Sequence, residues 1–385
     1  MTMRVSLLVP GLSRGGMTRA YVLAGALGTI GVRAEIVGAL PAGDHVYPDP
    51  PGGIVIRSFP ERSFVERVLD ARELATGDVL YAVKVRASSL GVALLIRRGR
   101  PLIVDTDDWE TAFPRPARPG PWTRRAYRRW RRARNPDHPR YSRWMESLLP
   151  RASAITANTR FLADRYDAVR VPSGKDTALF DPSRYDPDAA RRSLGLDGFR
   201  VIMFPGTARE HKGVEDVAAA LDLLDRKDAR LVIVGGREAG DRLAHEMAAR
   251  HPHRVIRLGQ FGANEMPRVI AAAHVVVAPQ RDTAPARAQF PMKLTDAMAM
   301  AKPIVATRVG DIPAMLDGAA WLVAPSSPRE IAEAIAAVFA DPGEARRRGD
   351  EARRRCIERA SLESIGAILG DVLDAATARG TARRK

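Results

Sequence analysis

Apolar residues along this chain follow two alternating patterns. Short β-branched runs, RVSLLVP, RAEIVGAL, DVLYAVKV, PLIVDTDD and SAITAN, are interspersed with helix-period stretches such as GMTRAYVLAGALGTIG and the segment SLGVALLIRRG. Such alternation predicts parallel βαβ units. The pattern restarts near residue 200 with RVIMFPG, RLVIVGG, RVIRLGQ, HVVVAPQ, PIVATRV and AAWLVAP, each followed by a helical stretch or a turn. Two doubly wound α/β domains follow from this, at 1–170 and 200–361. Between them VPSGKDTALFDPSRYDPDAA is rich in proline, glycine and aspartate, and 171–199 is expected to be a linker and hinge. A last helix, about 362–385, is expected to pack back on the first domain. Ligands of open α/β sheets bind outside the carboxyl ends of the strands, so two facing domains would form an interdomain cleft.

Composition supports a globular chain. With 385 residues, 45% hydrophobic and 28% charged, it can bury a sizeable core in two domains. No apolar run approaches the roughly 18 residues of a membrane span, and Pro10 interrupts MTMRVSLLVPGL before it could serve as a secretory segment, so a cytoplasmic location is expected. The single cysteine, Cys356 in EARRRCIERA, has no partner for an internal disulfide or a Cys-based metal site and is expected to pack within a helix.

Charge changes the picture locally. The net charge is +16, but from Arg115 to Arg143 eleven arginines face one acid, Asp137, so that stretch alone carries +10. Within it, PGPWTRRAYRRWRRARNP is bounded by prolines and predicts a short helix of about 20 Å over 122–134. Trp122, Ala126, Trp130 and Ala133 would share one narrow face, with Tyr127 beside them and arginines including Arg125, Arg128 and Arg129 over the rest. A tryptophan stripe against a cationic surface is the pattern of an interfacial helix, so peripheral attachment to the anionic inner membrane face is expected. The bland alternative is a solvated basic helix that packs its tryptophans on the first domain. No nucleic-acid reading module surrounds the segment, and no nucleic acid is expected as a partner.

Candidate chemistry concentrates in the second domain. In AQFPMKLTDAMAMAKPIVAT, residues 288–307, Pro291 suits a first helical turn, and the amides of Met292, Lys293 and Leu294 would then point outward unpaired. Together with the Lys293 ammonium and the helix dipole they favour a phosphate, although an ordinary capped helix would give the same pattern. FPGTAREHKGVEDVAAAL places Arg209 and Lys212 in the loop after the first strand of this domain, ahead of a helix. Cations there oppose the helix dipole unless an anion lies between them. Asp296, one turn into its helix, could accept hydrogen bonds from a diol.

The first domain opens with VPGLSRGGMTRAY, whose Gly15 and Gly16 either let the backbone approach a ligand or simply form a tight turn. This is no G-x-G-x-x-G fingerprint, which weakens a nicotinamide-cofactor reading. VDTDDWE places Asp105, Asp107 and Asp108 at a strand end. Their spacing is similar to the metal-binding Asp-x-Asp of GT-A glycosyltransferases, but the phosphate features lie in the other domain. Asp107 and Asp108 are the candidates for facing an acceptor or sugar, or for capping the next helix.

The order of these features resembles the retaining glycosyltransferases of family 4, which have the GT-B fold of two Rossmann-like domains. PGLSRGGMTRAYVLAGAL is similar to their glycine loop, VPSGKDTALFDP to their interdomain segment, and GTAREHKG, beginning at Gly206, to the loop that brings an arginine and a lysine to the donor diphosphate. AQFPMKLTDAM, with AMAMAKPIVAT and VGDIPAML after it, resembles their signature of two glutamates separated by seven residues, and PMKLTDAM also fits a related variant pattern, Pro-x-Lys-Leu-x-acid. By that resemblance Asp296 stands at the second glutamate, which binds the ribose, and Gly15, Gly16, Gly206, Gln289, Met292, Lys293 and Leu294 lie along the donor. Ala288 stands where the first glutamate is expected, which departs from the pattern. The resemblance implies an acceptor-side first domain and a nucleotide-sugar-binding second domain. It implies a retaining transfer to an acceptor such as a lipid-linked or polysaccharide glycan, with Arg209 and Lys212 as catalytic cations and no metal or other cofactor. The rival readings are a catalytically inactive GT-B binder of nucleotide sugars, motivated by Ala288, and a non-enzymic binder of anionic polymers, motivated by the arginine run.

Overall fold

A computed structural model of the chain describes residues 2–13, 16–112, 135–224, 226–236 and 242–382. It forms two compact units, Met1–Pro172 with Ile365–Lys385, and Ser173–Ser364.

The first unit is built on seven parallel strands: β1 (Arg4–Leu8), β2 (Arg33–Leu40), β3 (Val55–Pro60), β4 (Val79–Val83), β5 (Leu102–Thr106), β6 (Ala154–Ala157) and β7 (Val169–Arg170), in the order β3-β2-β1-β4-β5-β6-β7. The central strands β4 and β5 are buried along their whole length, as a parallel sheet covered on both faces requires. Their apolar runs were therefore conspicuous in the sequence. The two strands that the apolar pattern missed are both peripheral: β3 is mostly solvent-exposed, and β7 has two residues. The C-terminal helix Leu362–Ala382 buries Ile365, Leu369, Val372 and Leu373, and sets Gly366 against Ala26 and Thr29 of the helix Met17–Thr29.

The second unit has six parallel strands: β8 (Arg200–Pro205), β9 (Ala229–Val234), β10 (Val255–Leu258), β11 (Val275–Ala278), β12 (Ile304–Thr307) and β13 (Trp321–Val323), ordered β10-β9-β8-β11-β12-β13. Each matches an apolar run of the second half.

The proline-rich stretch 171–199 is more than a linker. Most of it belongs to the body of the second unit, where it carries the helix Pro187–Ser193 and contributes Phe180, Ala190 and Leu196 to the core. Its backbone is also tied down, with the Lys175 amide donating to the Ala360 carbonyl at 2.8 Å and Arg353 donating to the Phe180 carbonyl at 2.7 Å. Cys356 is buried in the helix Pro342–Ala360, and burial pushes its thiol up to about 12.

Candidate donor and acceptor sites

In each sheet the strand order reverses once, between β1 and β4 and between β8 and β11. At such a switch point the loops at the carboxyl ends diverge and leave a crevice for a ligand. The candidate residues of each unit gather at its own switch point.

In the second unit, β8 runs into Gly206, at φ +112°, and then into the 3-10 turn Glu210–Lys212. Gly213 follows at φ +64°, where a Cβ would stand 2.0 Å from the Pro279 carbonyl oxygen. Only glycine lets the turn lie that close to the segment leaving β11. The Arg281 amide completes the join by donating to the His211 carbonyl at 3.1 Å. The loop after β8 is thus fixed to the chain that leads to residues 288–296. Lys212 donates to the Thr207 carbonyl at 3.2 Å, which folds the ammonium back over the loop. Arg209 is exposed, and its guanidinium has no hydrogen bond or ion pair among the described residues.

The helix start expected at 291–294 exists, with two corrections. Pro291 is the N-cap of the helix Met292–Ala299 and not its first residue, and no side chain caps the end. The Leu294 amide is paired, donating to the Pro291 carbonyl at 2.9 Å, so the amides of Met292 and Lys293 remain as outward donors. The Lys293 side chain does not extend into solvent. It is only 7% exposed, and its Nζ lies 3.0 Å from the centroid of the Phe204 ring on β8. Burial, reinforced by Lys212, depresses its pKa well below the usual lysine range, against the weaker opposing pull of Asp296. Asp296 is itself buried and paired with the Lys175 ammonium, so it is not the free carboxylate expected from its helix position. Gln289 is half-buried, and its backbone N–H donates to the Ala286 carbonyl at 3.2 Å. Ala288 is fully buried.

In the first unit, Gly16 is the N-cap of the helix Met17–Thr29, at φ +119°. Against it lies Lys84, which sequence reasoning passed over as an ordinary residue at the end of DVLYAVKV. Lys84 sits at φ +74° just after β4, and its Cε would lie 3.1 Å from a Cβ at Gly16. Its ammonium is buried between Asp107, at 2.9 Å, and Asp108, with Glu110 at 3.7 Å. These carboxylates hold the Lys84 pKa above its usual value against the cost of burial. Burial beside Asp108 and Asp105 pushes the Asp107 carboxyl up, and Lys84 restrains it. Glu110 makes a two-pronged pair with Arg86 at 2.9 and 2.8 Å.

Asp105 is engaged separately. It accepts from Arg19 Nε at 2.9 Å and Nη2 at 2.8 Å, while Arg19 also donates to the carbonyls of Val171 and Pro172. The Asp-x-Asp resemblance therefore dissolves into two ion pairs, Asp105 with Arg19 and Asp107 with Lys84. The only sequence signal for Arg19 and Lys84 was a charged residue inside an otherwise apolar stretch, and that does not reveal its partner. Gly15 and the segment bearing Trp122, Arg125, Arg128, Arg129 and Trp130 lie outside the described residues.

Comparison with known proteins defines the class. Several solved glycosyltransferase structures share the fold across nearly the whole chain. HepE of Anabaena in complex with UDP-glucose aligns with a TM-score of 0.71 at 19% identity, covering 97% of this chain and 100% of that one. Sucrose-phosphate synthase from Thermosynechococcus elongatus aligns with a TM-score of 0.72 at 18% identity, covering 98% and 100%. The fold is GT-B, with two parallel-sheet α/β domains.

Residues 199–341 match the family model for glycosyl transferases group 1, and the domain they form is a group 1 glycosyltransferase domain. Alpha-maltose-1-phosphate synthase of Mycolicibacterium smegmatis is 30% identical over 221 residues, 52% of this chain and 54% of that protein. The MMP alpha-(1->4)-mannosyltransferase of Mycolicibacterium hassiacum is 28% identical over 247 residues, 62% of this chain and 56% of that protein. The chain spans about half the length of the relatives it matches.

Proposed function

We propose that this chain is a retaining glycosyltransferase that moves a hexosyl group from a nucleoside-diphosphate donor to an acceptor, either a lipid-linked or a polysaccharide glycan. One observation carries the reading. At the switch point of the second sheet, an exposed Arg209 and the Lys212 turn are fixed beside an uncapped helix start bearing Lys293. Preorganised cations and amides of this kind suit a diphosphate on which charge grows as the glycosidic bond breaks. Arg209 and Lys212 meet that charge, the helix amides hold the phosphate oxygens, and the protein cations take the part a metal would otherwise play. The acceptor hydroxyl attacks from the face the diphosphate leaves, which preserves configuration, and its proton passes to the departing phosphate oxygen. Asp296, held by Lys175, receives the ribose. On the first unit, Asp107 and Asp108 present hydroxyl-binding oxygens to the acceptor or sugar.

HepE was solved with UDP-glucose, which makes UDP-sugars the first donors to test. The decisive experiment screens UDP-, GDP- and ADP-sugars for slow donor hydrolysis and for thermal stabilisation. Turnover that falls in Lys212→Ala supports the proposal, and absence of both effects across the panel refutes it. Binding without turnover would favour the inactive-binder reading, for which the fully buried Ala288 speaks.

We further propose peripheral attachment to an anionic cytoplasmic membrane face. Among the described residues no helix is long and apolar enough to cross a bilayer. The helix Pro139–Ser147, which follows the arginine-rich segment, exposes Trp144 to 59% alongside exposed Arg140 and Arg143. An exposed tryptophan among arginines suits the interface.

A further inference from the structure

Lys293 is an unusual residue to find at a phosphate-binding helix start. A lysine serving only as a surface anion clamp would keep its ammonium in water or beside a carboxylate. Here the side chain is buried, no hydrogen bond or ion pair to it is found among the described residues, and Nζ rests on the face of the Phe204 ring. The charged groups around it are few. Lys212 approaches from the turn after β8 and repels an ammonium. Asp296, on its own helix, attracts one, but its carboxylate is already engaged by Lys175 from the segment that precedes the helix Pro187–Ser193. Arg209, His211 and Glu210 share the loop of Lys212; Glu210, its acid, is exposed, and Lys212 and Asp296 are the charged groups that act on Lys293. The Phe204 face attracts a cation, but an aromatic ring offsets only part of the cost of removing an ammonium from water.

We propose that Lys293 stands as a neutral amine in the empty donor site and takes up a proton from solvent when the donor diphosphate binds, so that an ammonium forms only opposite the phosphates. This rests on the donor-site reading above and adds the charge state at which the site operates. The physical logic is linkage. A dianionic diphosphate at the Met292 and Lys293 amides would supply the negative neighbour that the empty site lacks, and would screen Lys212 from Lys293. An amine whose pKa rises on binding draws a proton from solution, so affinity falls as pH rises between its free and bound pKa values. The empty site avoids holding two mutually repelling ammonium groups. The occupied site gains a cation beside the leaving group.

The test is isothermal titration of the full chain with UDP, and in parallel with GDP, at about pH 8 in buffers of different ionisation enthalpy. The second phosphate pKa is about 6, so the nucleotide itself exchanges almost no proton there. The expected result for the wild type is uptake approaching one proton per nucleotide. The dissociation constant should then rise up to about tenfold per pH unit. Lys293→Met should lose the uptake, and Lys293→Arg, which stays charged, should bind nucleotide without uptake. Thermal melts confirm that each variant is folded. His211→Gln should retain the uptake, which separates Lys293 from the imidazole on the neighbouring loop. Nucleotide binding with no proton uptake in the wild type, or uptake unchanged in both Lys293 variants, overturns the proposal while leaving the donor site standing. Failure of UDP and GDP, and then of ADP titrated in the same way, to bind overturns both.

Discussion

In the second unit Gly213 lies against the Pro279 carbonyl, and Gly213→Ala tests what that contact does. Two effects add. The backbone at φ +64° is left-handed, which costs a residue with a Cβ about 1–2 kcal/mol. The new methyl would also stand 2.0 Å from a backbone oxygen that no side-chain rotation can move, so the turn Glu210–Lys212 and the end of β11 must separate. Overpacking of this kind typically costs about 1–3 kcal/mol. The sum, about 2–5 kcal/mol, is a large part of the roughly 5–15 kcal/mol that holds a domain together. Gly195→Ala is the internal control, because Gly195 has a similar φ of +67° with open space around its Cβ position. It should lose only the left-handed penalty. The assay is native-state hydrogen exchange of the β8 and β11 amides, which reads the second unit without assuming that the whole chain unfolds in one step. Gly213→Ala should open those strands more readily than Gly195→Ala and weaken nucleotide binding, because the displaced turn carries Lys212. Equal protection in the two variants would show that the contact constrains nothing.

Four further expectations follow from the ion pairs and the exposed surface. Arg209→Ala or Lys212→Ala should lower kcat by about 10²–10³, the usual cost of removing one donor to a transition-state anion, while urea denaturation shifts by less than about 1 kcal/mol; near-normal turnover in both would remove them from catalysis. Asp296→Asn should destabilise the second unit by about 3 kcal/mol, because it strands the Lys175 ammonium, and should also weaken nucleotide binding; an unchanged denaturation midpoint would mean the pair contributes nothing. Lys84→Met should cost about 3–5 kcal/mol near neutral pH by leaving Asp107 and Asp108 without their cation. Burial already raises the Asp107 pKa, and a carboxyl raised in the folded state stabilises it increasingly as pH falls, so the deficit of Lys84→Met relative to wild type should shrink on acidification; a deficit that grows instead refutes the pairing. Sedimentation with vesicles should require anionic lipid, weaken with salt, and fall in Trp144→Ala; equal binding to neutral vesicles would dismiss the membrane reading.

What the sequence revealed and what it hid divide along a physical line. A strand buried on both faces is largely apolar, so β4, β5, β8 and β11 announce themselves, even though β5 ends in the buried Asp105 and Thr106, and the alternation with helices points to the fold class. A strand such as β3, exposed along most of its length, carries no such demand and left no trace. The loop after β8 stood out as a candidate because glycine, arginine and lysine occur together within a few residues, and the structure shows it as a turn held by Gly213. Ion pairs are different. Asp296 and Lys175 are far apart in sequence, as are Arg19 and Asp105, and nothing near either member specifies the other. The consequence is specific: Asp107, Asp108 and Asp296 were weighed without the cations, Lys84 and Lys175, that hold them. Lys293 shows the converse. Its lysine identity invited a charged phosphate clamp, but burial against Phe204 pulls its pKa well below the usual lysine range, and burial is a property of the packed unit. Charge at a site is therefore the part of function least available from sequence, since both the partner that stabilises an ion and the desolvation that suppresses it come from residues brought together only by folding.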